Sequence, residues 1–237
     1  ADKPFALVVA PGTPHTPFVA PPEWRALYDP DALELRGNVT TPAEGMVPAD
    51  SPLPEGTTGA PEDILRRWTA AYYAAVSNID HNVGRLLAEL RTLGVADDTV
   101  VVFTSDHGEM LGSQGQLHKL QPWDESIRIP LLVRYPNAVQ AGLRVSAPVN
   151  LPDVLPTLFG LMGLDVPDGV EGTDLSGVLC GDAAEPEQSG FLLWPCSATT
   201  WGKQWTETSV AARGMPAGFM RAYRGIRTRT HTYVRDR

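Results

Sequence analysis

Residues 101–119 have the sequence Val-Val-Phe-Thr-Ser-Asp-His-Gly-Glu-Met-Leu-Gly-Ser-Gln-Gly-Gln-Leu-His-Lys. An apolar, β-branched run ends at Asp106-His107-Gly108, and a glycine-rich stretch then leads to Lys119. Open α/β sheets bind their ligands at the carboxyl ends of the strands. We therefore predict a buried strand that delivers a carboxylate, an imidazole and a nearby ammonium group to a site for a metal and an anion.

The flanking segments predict alternating helices and strands. Apolar residues recur at helical spacing over residues 62–93, before Gly94, and predict a long helix. A long helix followed by a fully apolar strand is typical of β-α-β winding in a parallel sheet. Further apolar runs predict buried strands at Phe5–Ala10, Thr99–Thr104 and Ile129–Arg134, and a short helix at Val154–Met162 with Pro156 in its first turn.

The pattern changes after residue 180. Residues 221–228 and 230–235 alternate between apolar and polar side chains, which predicts two strands joined by a tight turn. We therefore predict that residues 1–180 are part of one α/β domain. Residues 181–237 would begin a smaller, antiparallel subdomain.

Composition and charge exclude some classes of partner. The chain has 237 residues, of which 43% are hydrophobic and 20% charged, an ordinary balance for a globular protein with a core. Its net charge of −9 disfavours nucleic acid as a partner, because phosphate binding needs clustered Lys and Arg. No apolar run approaches the ~18 residues of a membrane span.

Four side chains carry the predicted chemistry. Asp106 and His107 are candidate metal ligands, since a carboxylate suits Ca²⁺, Mg²⁺ or Mn²⁺ and an imidazole suits Zn²⁺. The alternative is an Asp that caps the next turn beside a hydrogen-bonded His. Lys119 could neutralise an anion, and His15, between prolines, could act as a general acid. For both, a solvent-exposed surface role is the alternative.

The order of these residues resembles the metal-site segment of the type I sulfatases, within the alkaline phosphatase superfamily. Pro14-His15-Thr16-Pro17 resembles the His-x-Pro loop of that family. Together, the matching segments cover most of the chain. They are Ser105–Gly112, Gly115, Lys119, Trp123–Leu132, Tyr73–Asp80, Val83-Gly84, Leu155–Leu158 and Tyr223–Thr228.

This resemblance implies a fold, a reaction and roles for the four residues. The fold would be an alkaline-phosphatase-like, mixed but largely parallel α/β sheet flanked by helices, with residues 1–180 in the catalytic domain. The reaction would be arylsulfatase-like hydrolysis of a small-molecule or carbohydrate sulfate ester, in a secreted or periplasmic enzyme. Asp106 and His107 would bind Ca²⁺, although the imidazole leaves Mn²⁺, Mg²⁺ and Zn²⁺ open. Lys119 and His15 would hold the sulfate and assist departure of the alcohol.

The sequence departs from the family at the nucleophile. The sulfatase nucleophile is a formylglycine made from Cys or Ser in the motif Cys-x-Pro/Ala-Ser-Arg. Neither Cys180-Gly-Asp nor Cys196-Ser-Ala fits that motif, and the family's first metal strand, with its paired Asp residues, is also absent. We therefore expect a middle-to-C-terminal part of a sulfatase, completed by the remaining part of the sulfatase chain with its formylglycine. Alone, these residues should show no turnover.

Three functions are compatible with these residues. The first is a sulfatase, and the second is a phosphonate monoester or phosphodiester hydrolase of the same superfamily. The third is a non-catalytic, sulfatase-like domain that binds anionic glycans or a partner. Specificity in such folds lies in variable loops, here residues 29–61 and 181–220, so the sequence predicts a reaction class and not a substrate.

Overall fold

The computed structural model of the chain describes residues 3–39, 61–194 and 222–236. These residues pack into two compact units. The first contains residues 3–39, 61–96 and 109–119, and the second contains residues 97–108, 120–194 and 222–236. The domain boundary after residue 180 stays a prediction, and much of the two variable segments, at residues 40–60 and 195–221, lies outside the described residues.

The first unit is built on one long helix. Its helices are α1 (Pro22–Arg25), a short 3-10 helix (Pro30–Ala32) and α2 (Pro61–Thr92). Helix α2 confirms the prediction for residues 62–93, and it ends just before Gly94, whose φ of +70° stops the helix. Its apolar face packs on residues of the glycine-rich stretch to form the core, which comprises Leu65, Trp68, Leu111 and Leu117.

The predicted buried strand at Phe5–Ala10 is wrong. The segment forms no strand, and its apolar side chains are exposed; Val8, for example, is 90% exposed. An apolar run becomes a strand only when another strand pairs with its backbone. None of the strands in the described part of the chain pairs with this segment.

The second unit contains two small antiparallel sheets. Strand β1 (Val101–Thr104) pairs with β2 (Leu131–Arg134), with Val101 opposite Arg134 and Thr104 opposite Leu131. Both strands lie within predicted ones, but the parallel pairing and the full burial were wrong for them. Phe103 and Leu132 are exposed. The connection between these strands contains one short helix, α3 (Asp124–Ile127). Antiparallel pairing is compatible with such a connection, because it needs no long crossover helix.

Helix α4 (Leu151–Leu161) begins three residues before its predicted start. The reason is a capping box at Asn150, in which the carboxylate of Asp153 accepts the backbone N–H of Asn150 at 2.8 Å. Pro152 therefore occupies the first turn, and Pro156 lies inside the helix instead of in that turn. Helix α5 (Ser176–Cys180) follows.

The second sheet contains the predicted C-terminal hairpin. Strand β4 (Tyr223–Arg227) lies between β3 (Gly190–Trp194) and β5 (Thr232–Asp236), and both pairings are antiparallel. The two predicted strands at 221–228 and 230–235 are confirmed by β4 and β5. Strand β3 was not predicted, because its partner lies about thirty residues away in sequence and no turn signal joins the two.

Candidate active site

Strand β1 ends at Thr104, and one residue, Ser105, separates it from the Asp106-His107 pair. The side chain of Asp106 is 84% exposed, and its Oδ2 lies 3.6 Å from Nε2 of His107. Its Oδ1 accepts the backbone N–H of His107 at 3.0 Å. Nδ1 of His107 lies 2.9 Å from the carbonyl oxygen of Gly108. Because a carbonyl only accepts, we assign the ring proton to Nδ1, which leaves the lone pair on Nε2.

This donor set fits a divalent cation. Two ligands of one cation, at bond lengths of about 2.0–2.4 Å, lie roughly 3–3.6 Å apart, as Oδ2 of Asp106 and Nε2 of His107 do. The contact from Nδ1 to a backbone carbonyl is the outer hydrogen bond that metal-binding histidines usually make. In residues 3–39, 61–194 and 222–236, no group of three His, Cys, Asp or Glu side chains forms a metal site. The described residues thus offer two candidate ligands at this turn, Asp106 and His107.

Helix α3 contacts Gly108, the residue that follows this pair. The backbone N–H of Gly108 donates to the carbonyl oxygen of Ser126 at 2.8 Å. A side chain at Gly108 would overlap the carbonyl oxygen of Glu125, so only glycine permits this close approach. The Asp106-His107 turn and α3 are thus fixed to each other within the second unit.

His15 and Lys119 meet in the first unit. Nζ of Lys119 lies 2.6 Å from Nε2 of His15, although 104 residues separate them in the sequence. The Nδ1 atom of His15 lies 2.7 Å from the carbonyl oxygen of Thr16, so we assign its proton to Nδ1 and the lone pair to Nε2, which accepts from the lysine. His15 is exposed and Lys119 half-buried. In this arrangement the ammonium group of Lys119 supplies the N–H donors, and Nε2 of His15 accepts one of them.

The stretch that carries Lys119 is packed and not a loose loop. Met110 and Ser113 are fully buried, and Leu117 is 3% exposed. Oε1 of Glu109 accepts the backbone N–H of His118 at 2.6 Å and that of Leu111 at 3.3 Å. The backbone N–H of Met110 donates to the carbonyl oxygen of His118 at 2.7 Å. These bonds hold the residue that immediately precedes Lys119.

An ion pair between α3 and β4 was not predicted. Nη1 and Nη2 of Arg227, on β4, donate to the two carboxylate oxygens of Asp124 at 2.7 and 3.2 Å. The hydrogen bonds of the Glu109 carboxylate to the backbone of Leu111 and His118 were also not predicted. In both cases the partner is a backbone group or a residue far along the chain, so no local spacing could signal the contact.

The pKa of a tyrosine in the first unit, Tyr72, is shifted. Burial, and then the carboxylate of Glu109, raise the pKa of Tyr72 above its ordinary value, while Arg36 opposes the shift. Nη2 of Arg36 donates to the carbonyl oxygen of Met110 at 2.8 Å. The segment that carries Lys119 is therefore held by charged groups as well as by apolar packing.

No helix in the described part of the chain combines the length and the apolar character that crossing a membrane requires.

The chain is similar to known sulfatases over most of its length. Residues 1–164 match the sulfatase family model. The chain is 35% identical to an ulvan-active sulfatase of Formosa agariphila over 238 aligned residues, which cover 99% of this chain and 40% of that protein. It spans less than half the length of the curated relatives that it matches.

Two solved structures extend the comparison. A phosphonate monoester hydrolase from Silicibacter pomeroyi is 28% identical, with a TM-score of 0.73, over 94% of this chain and 46% of that one. A protein solved in complex with its substrate D-glucosamine-2-N,6-O-disulfate is also 28% identical. Its TM-score is 0.61, over 75% of this chain and 33% of that one.

Proposed function

Because this chain belongs to the sulfatase family, we propose that the complete protein hydrolyses a sulfate monoester. Family membership and the alkaline-phosphatase-like fold confirm two predictions from the sequence. The roles of individual residues and the substrate are proposals, supported by the arguments that follow.

The contact between His15 and Lys119 is the observation that carries the proposal. An ammonium group 2.6 Å from an imidazole provides N–H donors that can bind a sulfate oxygen. As the ester bond breaks, negative charge develops on the departing alcohol oxygen. We propose that Lys119 stabilises that charge. His15, once its Nε2 has taken up a second proton from solvent, passes that proton to the alcohol.

Asp106 and His107 are proposed to hold the metal through Oδ2 and Nε2. A bound divalent cation would polarise a sulfate oxygen and offset charge on the group being transferred. Ca²⁺ is our first expectation, and the imidazole nitrogen keeps Mn²⁺, Mg²⁺ and Zn²⁺ as alternatives. The tautomer of His107, with its proton on Nδ1, is the one that leaves Nε2 to bind a cation.

The nucleophile is proposed to lie outside these 237 residues. Neither cysteine of the sequence occurs in a Cys-x-Pro/Ala-Ser-Arg motif. A formylglycine in the remainder of the protein would complete the chemistry. Peptide mapping of the natural protein tests this directly, because a motif peptide with an unmodified cysteine would contradict it.

The role of Lys119 is tested by steady-state kinetics of the complete protein with 4-nitrophenyl sulfate. Lys119→Ala should lower kcat by about 10²–10³-fold, the usual effect of removing one donor to a developing negative charge. Lys3→Ala removes an exposed lysine from the same unit and is the matched control, with kcat expected to stay within about twofold. Equal kcat values for the two variants would refute the role of Lys119.

The metal site is tested by calorimetric titration of the metal-stripped protein with Ca²⁺ and with Mn²⁺. His107→Ala should weaken binding of the physiological metal by about 10–100-fold or more, because a direct ligand is lost. His231→Ala, at an exposed histidine of the same unit, is the control. Unchanged affinity in His107→Ala would exclude His107 as a ligand.

A second function has specific support. The similarity to a phosphonate monoester hydrolase, at a TM-score of 0.73, favours hydrolysis of phosphonate monoesters or phosphodiesters. Rates on 4-nitrophenyl sulfate and on a 4-nitrophenyl phosphonate separate the two. Binding of sulfated ligands without hydrolysis of either ester would support the non-catalytic alternative.

The substrate of the sulfatase is proposed to be a sulfated carbohydrate. The support is the similar protein that was solved with a disulfated glucosamine as its substrate. Hydrolysis of aryl sulfates but of no sulfated sugar would contradict this part of the proposal.

A further inference from the structure

The second unit contains a cavity of about 400 Å³ beside α3. Trp123 and Asp124 line it from the start of that helix, and Arg227 and Thr232 line it from strands β4 and β5. Trp123 is 47% exposed, so its ring forms an accessible apolar surface beside polar groups. Neither the metal-binding nor the anion-binding role proposed above uses this cavity.

The cavity adjoins the proposed metal ligands through α3. Glu125, the next residue of its lining, is the one whose carbonyl oxygen abuts Gly108. The backbone N–H of Gly108 is bonded to the following residue, Ser126. Backbone contacts of α3 thus connect the lining of the cavity to the turn that carries Asp106 and His107.

The polar lining suits neutral hydroxyl groups more than a second anion. The bidentate pair of Arg227 with Asp124 neutralises both charges, at 2.7 and 3.2 Å. Nη1 of Arg227 also donates to Oγ1 of Thr232 at 2.5 Å, which leaves the Thr232 O–H to donate to a ligand. The cavity thus offers hydroxyl, carboxylate and guanidinium groups together, a mixture of donors and acceptors that matches a polyhydroxylated ring.

The backbone of Trp123 is hydrogen-bonded to the first turn of α3. Its carbonyl oxygen accepts the backbone N–H groups of Ser126 and Ile127, at 2.9 and 3.1 Å. An aromatic ring on a fixed backbone costs little entropy when it stacks on the apolar face of a sugar.

We propose that this cavity is the subsite for the sugar ring that carries the sulfate ester. Trp123 stacks on the ring, and the Asp124–Arg227 pair and Thr232 bind its hydroxyl groups. This inference rests on the proposed sulfatase function, and it names the residues that select a carbohydrate.

The test measures kcat and KM of the complete protein with D-glucosamine 6-sulfate. Trp123→Ala should raise KM roughly tenfold while kcat changes less than about twofold, because uniform binding is lost. Tyr233→Ala is the matched control. Tyr233 is 68% exposed on β5 between two cavity residues, and its side chain points to the other face of that strand. Equal effects of the two variants would overturn the subsite.

A second variant separates recognition of hydroxyl groups from general damage. Thr232→Val keeps the shape of the side chain and removes its hydroxyl, so kcat/KM should fall about fivefold or more on the sulfated sugar. On 4-nitrophenyl sulfate, which has no hydroxyl group, kcat/KM should stay within about twofold. An equal fall on both substrates would mean that Thr232 acts through the fold, and it would refute the proposal.

Failure of the proposed function can be distinguished from failure of the subsite. If the complete protein hydrolyses no sulfate ester, binding of D-glucosamine 6-sulfate is measured by saturation-transfer NMR. Binding that is lost in Trp123→Ala and kept in Tyr233→Ala supports the subsite without the activity. Hydrolysis of sulfated sugars with unchanged KM in Trp123→Ala supports the activity and refutes the subsite.

Discussion

Replacing Glu109 by leucine should loosen the backbone that carries Lys119. The Glu109 carboxylate accepts two backbone N–H groups, from His118 at 2.6 Å and from Leu111 at 3.3 Å. His118 has a φ of +65°, and Leu111 has a φ of +43°. Residues other than glycine avoid this left-handed region, so they keep such a conformation only where surrounding bonds hold the backbone.

The magnitude follows from these two bonds. A short hydrogen bond to a carboxylate contributes about 1.5–3 kcal/mol, and the longer one contributes less. Glu109→Leu should therefore destabilise the segment at 109–119 by about 2–4 kcal/mol. Glu109→Gln keeps one carbonyl oxygen as an acceptor and loses only the charge, so about 1 kcal/mol is expected.

Hydrogen exchange followed by mass spectrometry measures this effect on the segment itself. A loss of 2–4 kcal/mol raises the local opening equilibrium by roughly 30–1000-fold, and exchange at 109–119 should accelerate accordingly. Because Lys119 would lose its position, kcat should fall more than KM rises. Glu62→Gln is the matched control. Glu62 pairs with Arg66 at 2.7 Å but is 60% exposed, so less than about 1 kcal/mol is expected.

The result that would refute this reasoning is equal exchange in Glu109→Leu and Glu62→Gln. In that case apolar packing alone would hold the segment, and the carboxylate would have no positioning role. Faster exchange with unchanged kcat would separate the order of the segment from the chemistry of Lys119.

Two further predictions concern the packing of the turn and the pH range of stability. Gly108→Ala should cost about 1–3 kcal/mol in urea unfolding, because the methyl group overlaps the carbonyl oxygen of Glu125. Gly84→Ala, in an open position of α2, should instead stabilise by about 0.5–1 kcal/mol; a Gly108→Ala variant as stable as the wild type would contradict the overlap. Burial, and then Glu109, raise the pKa of Tyr72 in the folded state. The contribution of the protonated tyrosine to stability is therefore present below pH 10 and is lost as the pH rises through the folded-state pKa. Between pH 9 and pH 11, the free energy of unfolding should decline less steeply for Tyr72→Phe than for the wild type.

The fold was partly predictable because its strongest signals are local. Helix α2 has a regular apolar face and a glycine stop, so its bounds were predicted to within one residue. The hairpin of β4 and β5 was found from alternation and a short turn. The segment Phe5–Ala10 has the same apolar composition as a strand, yet strand formation depends on a partner backbone, which no local pattern reveals.

The sequence predicted which types of residue could form the site. It did not predict which of them would contact one another. Asp106 and His107 are adjacent in sequence, and their separation of 3.6 Å follows almost directly from that adjacency. The anchor at Glu109 was not predicted, because its partners are backbone N–H groups whose position depends on how the chain turns back.

The sequence by itself determined the long helix, the hairpin, the membership of the sulfatase family and the types of residue available for catalysis. These follow from periodicity and from motifs that lie within a few residues of one another. Only the tertiary structure decided that His15 meets Lys119 across 104 residues and that Arg227 reaches Asp124 across 103. Contacts over such separations depend on the packing of whole elements, which brings together side chains that no spacing in the sequence relates.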